Sequence, residues 1–257
     1  MKDITVGIIG GTGGMGQWFA DLLKKEGHTV HVSGRKTKLS SDELARICNV
    51  VVVSVPISAT AEVIKQVGPL LNKDQLLMDL TSLKREPVEL MLASSTAEVI
   101  GCHPLFGPGI LESKGQNIVL CSGRGTNWYP WLKGLFDKNG FNVLEKTATW
   151  HDEMMSVVQV LNHLNTISLG LALMETGQPL DELSKISTPV FRAKLDIVKK
   201  LFTEGPGLYA EIIAGNSETE KILNIYENVI REIRQAIKLD GSTGLKDKME
   251  KAAKKLF

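Results

Sequence analysis

From Ile4 to about Phe141, short β-branched runs alternate with stretches whose apolar positions recur every three or four residues. That alternation predicts βαβ units around a mainly parallel sheet. The runs place strands at Ile4–Ile9, Thr29–Ser33, Val50–Val55, Leu76–Leu80, Glu98–Cys102 and Ile118–Cys121. VVVVSVP, from Val50 to Pro56, is apolar on both faces, so its strand belongs mid-sheet with helices above and below. After about Thr149 the period becomes 3.6 and stays there, which divides the chain into an α/β domain, 1–149, and an all-α domain, 150–257. Trp150 to about Glu175 predicts one long helix, apolar almost all round, as in a helix buried inside an assembly. Ile222, Ile225, Tyr226, Val229, Ile230, Ile233 and Ile237 form a stripe that suits packing against another helix, of this chain or of a second subunit. The end, LKDKMEKAAKKLF, mixes both charges with an apolar stripe and predicts a solvated amphipathic helix.

Within this frame, GIIGGTGGMG carries Gly11, Gly13 and Gly16 in G-x-G-x-x-G spacing, after an apolar strand and before a helical pattern. In the usual division of labour the first glycine permits a tight turn, the second admits a pyrophosphate and the third lets helix and strand pack closely. Phosphates then rest at the helix N-terminus, where free N–H groups and the macrodipole favour negative charge. The α/β part is thus expected to be a Rossmann-type dinucleotide-binding domain. Thr12 and Met15 in the loop, with Val55 and Pro56 after the third strand, complete its expected contacts. The second strand should end in an acid if the adenosine ribose keeps a free 2′-hydroxyl. Ser33, Arg35 and Lys36 stand there instead, so the turn leans towards NADP, with NAD left open.

Charge and cysteine content narrow the class further. Thirty basic against 29 acidic side chains give a net charge of +1, which points to no nucleic acid and no anionic membrane surface. Cys48, Cys102 and Cys121 are too scattered for a disulfide framework or a thiolate metal site, and no metal is expected. The apolar N-terminal run is too short to cross a bilayer, and a cytoplasmic enzyme of small molecules is the expectation.

The candidate chemistry lies beyond the strand ends. DLTSLK follows one strand and GCHPLFGP ends the next, on the side where open α/β sheets bind ligands. Pro104 forces His103 out of the α region and fixes the direction of its side chain. Gln159, Asn162, His163 and Thr166 recur at i, i+3, i+4 and i+7 in the long apolar helix, so four polar groups share one face. They need polar partners, either protein or a wet cleft. His151, beside Asp152, is read as part of the helix start.

GCHPLFGP, DLTSLK, HDEMMSVVQVLNHLNTISLG, STPVFR and GLYAEIIAGN together resemble the prephenate dehydrogenase family, in order and spacing, from the glycine loop to about Asn216. The resemblance implies a nucleotide domain followed by a helical dimerisation domain, and oxidative decarboxylation of prephenate to 4-hydroxyphenylpyruvate with NAD or NADP in tyrosine biosynthesis. Close relatives use arogenate. It makes His103 the base at the substrate ring hydroxyl, with an imidazole titrating near the usual value of about 6.5. Ser82 matches a serine touching both that histidine and the cofactor, and His163 a substrate-pocket histidine, with Gln159 beside it. Where many relatives have a carboxylate-gripping arginine, KKLF puts Lys200, and Arg192 would share its task. Two other readings share the layout: a β-hydroxyacid dehydrogenase or imine reductase, which would rely on a lysine or tyrosine in the long helix, and a non-catalytic dinucleotide sensor.

Overall fold

The computed structural model describes residues 4–110 and 112–257. In chain order the first part runs β1 (Thr5–Ile9), α1 (Gly14–Lys25), β2 (Thr29–Ser33), α2 (Ser41–Ile47), β3 (Val50–Val53), α3 (Ile57–Val67) and β4 (Leu76–Asp79). It continues through α4 (Arg85–Ser94), β5 (Glu98–Pro104), β6 (Asn117–Arg124), α5 (Tyr129–Lys138) and β7 (Asn142–Glu145). The seven strands lie in the order β2-β1-β3-β4-β5-β6-β7. All neighbouring pairs are parallel except β5 with β6. Every residue of β3 is buried, as its unbroken valine run requires of a central strand. β7 is a strand that the pattern of the sequence does not announce: three of its four residues are exposed, so no apolar run marks it.

The helical part comprises α6 (Ala148–Met155), a π-helical segment at Ser156–Leu161, α7 (Asn162–Thr176), α8 (Leu180–Lys185), α9 (Pro189–Thr203), α10 (Pro206–Gly215) and α11 (Thr219–Leu256). The expected single helix is therefore one rod with a widened turn in its middle. Gly241 breaks α11 at φ 57° and ψ −135°, a conformation that side chains resist. The two arms fold towards each other, since Lys248 reaches Glu232 at 2.8 Å.

Ala148–Thr176 is long and apolar enough to cross a membrane by length and composition. Its first turns, however, pack on the sheet domain through the buried polar residues His151 and Asp152. Met174, Val190, Ile225, Val229 and Ile230 are exposed in the single chain. They extend over several helices an apolar surface of the kind that marks a protein interface.

Beneath the carboxyl ends of β4 and β5 sits a buried ion pair. Lys84 Nζ meets Asp79 Oδ2 with both side chains fully buried, and Thr81 donates to the same carboxylate. Opposite charges withdrawn together from water are tolerable, but one left alone is not. We expect Lys84→Met to strand the Asp79 carboxylate and cost about 3–5 kcal/mol in urea unfolding; a loss near zero would show that the pair is not a structural keystone.

Candidate active site

Two walls and a floor make a cleft of about 540 Å³ between the sheet domain and the helices. The glycine loop forms the first wall, with Gly13, Gly14 and Met15 bordering the cleft at the start of α1. Close approach explains the glycines. A Cβ on Gly11 would lie 2.6 Å from Val32 Cγ1, and one on Gly16 would lie 2.6 Å from the Gly10 carbonyl oxygen. The tight turn belongs to Gly10, not Gly11: its φ is 81°, and a Cβ there would lie 2.2 Å from the Ser54 carbonyl oxygen. Gly13 meets only one atom, at 3.3 Å, so the loop stays open where a phosphate would rest. Val55 and Pro56 border the same cleft. This cradle fits a dinucleotide, because the backbone is bare where the pyrophosphate needs access.

At the far end of the loop Thr12, Arg35 and Lys36 line one hollow. Ser33 does not face it. Its side chain is buried, with Oγ 3.2 Å from Ser41 Oγ, and its carbonyl receives the N–H groups of Gly10 and Gly11. The serine thus shapes the loop, and the two cations alone stand at the ribose end.

The floor carries His103, at the end of β5 and only 3 % exposed, bordering the cleft beside Ser82. Its Nδ1 lies 2.8 Å from His151 Nε2. His151 Nδ1 lies 2.7 Å from Asp152 Oδ1. Asp152 in turn accepts the backbone N–H groups of Lys84 and Arg85, at 2.9 Å each, and so caps the N-terminus of α4. His151 is therefore no mere part of a helix start. The helical domain threads it through the floor, and a lone histidine in a sequence carries no signal of that long-range contact.

Ser82 makes no hydrogen bond to His103 among the described residues, and His103 Nδ1 is met by His151 instead. Burial, then the neighbouring His151 and Lys84 charges, hold the His103 pKa well below the usual histidine value, which corrects the expectation of an ordinary one. Burial lowers His151 as well, against the hydrogen bond it gives to Asp152. For Asp152, burial alone would raise the pKa, but the His151 contact and the two backbone N–H groups outweigh it and lower it. His163 is lowered by burial.

The second wall is helical. Gln159, in the π-helical turn, and His163, at the start of α7, both border the cleft. His163 packs edge-on against Tyr209, with ring centroids 4.8 Å apart. Gln159 Oε1 is buried without a protein partner, which marks a place where a ligand or water must supply one. π-helical turns of this kind recur at functional sites. Asn162 and Thr166 turn out differently. Asn162 is exposed, and the Thr166 hydroxyl bonds back to the Asn162 carbonyl. Leu80, Leu105, Phe106, Met155, Val158 and Ile212 supply apolar surface between the polar groups.

Lys200 and Arg192 are not brought into the cleft. Both are exposed on α9, and Arg192 bonds the Ser187 carbonyl instead. The pattern of α9 explains this, since Leu201 is its buried residue and the neighbouring Lys200 is carried outward.

Comparison with known proteins agrees with this architecture. Residues 26–137 match the model of the prephenate dehydrogenase nucleotide-binding domain, and residues 147–252 match that of the prephenate dehydrogenase dimerisation domain. The chain is 35 % identical over 225 residues to the T-protein of Haemophilus influenzae, covering 88 % of this chain and 60 % of that one. It is 32 % identical over 271 residues to a probable arogenate/prephenate dehydrogenase of Methanocaldococcus jannaschii, covering 98 % and 61 %. The chain thus spans about three-fifths of the length of these relatives. In three dimensions it resembles the prephenate dehydrogenase of A. aeolicus, crystallised with hydroxyphenyl propionate and NAD+, at 19 % identity and a TM-score of 0.75 over 99 % of both chains. With both domain models matched in order along one chain, this protein belongs to the prephenate dehydrogenase family.

Proposed function

We propose that this chain oxidatively decarboxylates prephenate to 4-hydroxyphenylpyruvate with a nicotinamide dinucleotide, His103 being the base. The observation that carries the reading is the placement of His103: its Nδ1 is satisfied by His151, while the residue borders a cleft flanked by a bare glycine loop. Nε2 has no partner among the described residues and is the nitrogen available to a ligand.

The substrate carries a hydroxyl and a hydrogen on one ring carbon and a carboxylate on the opposite, quaternary carbon. Oxidation removes the hydrogen as hydride and the hydroxyl proton to a base, while carbon dioxide leaves and the ring becomes aromatic. A nicotinamide ring, when bound, supplies the hydride acceptor. His103 Nε2 would take the proton, and Ser82, bordering the same cleft, would bond the hydroxyl oxygen. The apolar surface of Leu80, Phe106 and Ile212 suits a six-carbon ring and keeps water from it. Gln159 and His163 would meet the polar end of the substrate, and the amide of Gln159 can turn either its oxygen or its nitrogen inward.

No lysine or arginine is among the described residues lining the cleft. Arg192 and Lys200 can therefore serve the two carboxylates only by way of a second subunit. A homodimer through the exposed apolar faces of α7 and α11 is the assembly this reading requires, and the match to a dimerisation domain supports it. Arogenate differs from prephenate only in the side chain that Gln159 and His163 would face.

For the cofactor we propose NADP, because Arg35 and Lys36 border the hollow at the ribose end and no acid is among the described residues lining it. Wild-type enzyme should form reduced cofactor from prephenate, with the higher kcat/KM for NADP. Arg35→Ala should lower that value about 10- to 100-fold for NADP and little for NAD, the worth of hydrogen bonds to a charged group. A strong NAD preference in the wild type would remove the NADP reading; no turnover of prephenate, with rapid turnover of arogenate, would move the substrate assignment.

Replacing His103 by Asn should lower kcat about 10²- to 10⁴-fold with KM little changed. Because burial depresses its pKa, His103 is already neutral at physiological pH, so kcat should be flat there and fall only well below pH 6.5. An acidic limb at or above 6.5 would show that another group is the base.

A further inference from the structure

The three groups behind the cleft form a directed chain, and its direction follows from the end that cannot vary. Asp152 accepts two backbone N–H groups and has its pKa lowered, so it is a carboxylate with no proton to give. The proton between Asp152 Oδ1 and His151 Nδ1 therefore belongs to the imidazole. A neutral His151 protonated at Nδ1 has a bare Nε2. Across the 2.8 Å contact the donor must then be His103 Nδ1, which leaves His103 Nε2 bare as well. Every link points the same way, from the cleft towards Asp152.

From this we infer that His151, anchored by Asp152, is a positioning residue that holds His103 in the tautomer with an unprotonated Nε2 and receives the Nδ1 proton during turnover. The inference rests on the proposed role of His103 as base and extends it to a residue that does not itself line the cleft. In the step, the substrate O–H bond breaks as an N–H bond forms at His103 Nε2. The Nδ1–H bond of His103 breaks as an N–H bond forms at His151 Nε2. The positive charge thus comes to rest on an imidazolium bonded to a carboxylate, instead of on His103, which faces Lys84 without a counter-charge of its own. The charged groups around His151 are Asp152 on its own helix and the Lys84–Asp79 pair from the β4–α4 connection. That pair is internally neutralised, so among the described residues Asp152 is the unshared anion facing the histidines.

Two variants separate holding the tautomer from receiving the proton. His151→Gln offers an amide oxygen to His103 Nδ1 but has no site for a second proton, whereas His151→Phe offers neither. Nitrogen NMR of the ligand-free protein with ¹⁵N-labelled histidine should show His103 protonated at Nδ1 and bare at Nε2 in wild type and in His151→Gln. His151→Phe should instead show a mixture of tautomers. Steady-state kinetics with prephenate should show kcat lowered about tenfold or more in both variants with KM little changed, the scale of effect when the partner of a functional histidine is removed. Unaltered His103 tautomers in His151→Phe, or a wild-type kcat in His151→Gln, would overturn the inference. If His151→Phe does not fold, the Gln variant alone decides the proton-receiving role. Should wild type turn over no substrate, the proposed function fails, and the tautomer spectra still report on His151 independently.

Discussion

The Asp152 carboxylate is the contact on which the relation of the two halves depends. It sits on the first helix of the helical part, yet it caps α4 of the sheet domain through the backbone of Lys84 and Arg85. With its other bond it orients His151, which reaches His103. A buried carboxylate is costly unless its lone pairs are filled, and here three N–H donors fill them. The requirement that satisfies Asp152 thereby fixes the helical wall at one distance from the floor of the cleft. Asn216 adds to the same joint by donating to the Asp152 carbonyl oxygen.

Behind this joint the protein places the Lys84–Asp79 pair, wholly buried beneath β4 and β5. Its effect on the site is electrostatic. Lys84 is one of the charges that disfavour a proton on His103, acting in the same direction as burial, and the result is a base that stays neutral. The histidine is also held by geometry: Pro104 follows it, Gly101 and Cys102 precede it in a buried strand, and β6 pairs with it from the antiparallel side. Its one free nitrogen has few directions available, which is what a proton acceptor aligned with a departing hydride needs.

The helical part gives the opposite impression. α7 has no buried residue in the single chain, and the rod Ala148–Thr176 that it ends is long and apolar enough to satisfy the length and hydropathy of a membrane span. The first turns of that rod, in α6, carry the polar joint just described, while Leu171 and Met174 near its end are exposed, as are Ile225, Val229 and Ile230 of α11. A surface of this kind is unstable in water unless covered. The match to a dimerisation domain over residues 147–252 is the natural counterpart of that exposure.

Much of this was legible from the chain itself, because period and local chemistry are local properties. The alternating runs located the first six strands along the chain, VVVVSVP a strand buried on both faces, and the glycine spacing a loop that only bare backbone could form. His103 stood out through its proline and its place at a strand end. β7 did not, since a mostly exposed edge strand leaves no hydrophobic trace. Nor did the assignment of the tight turn to Gly10, which depends on the approach of the Ser54 carbonyl from another strand. Lys200 and Arg192 were expected to share one task, yet α9 buries Leu201 and leaves both of them exposed. The pairing of His103 with His151, 48 positions apart, was likewise set only when two domains met. Sequence determines which groups a segment can offer; which of them share a proton depends on distances that only the packed chain defines.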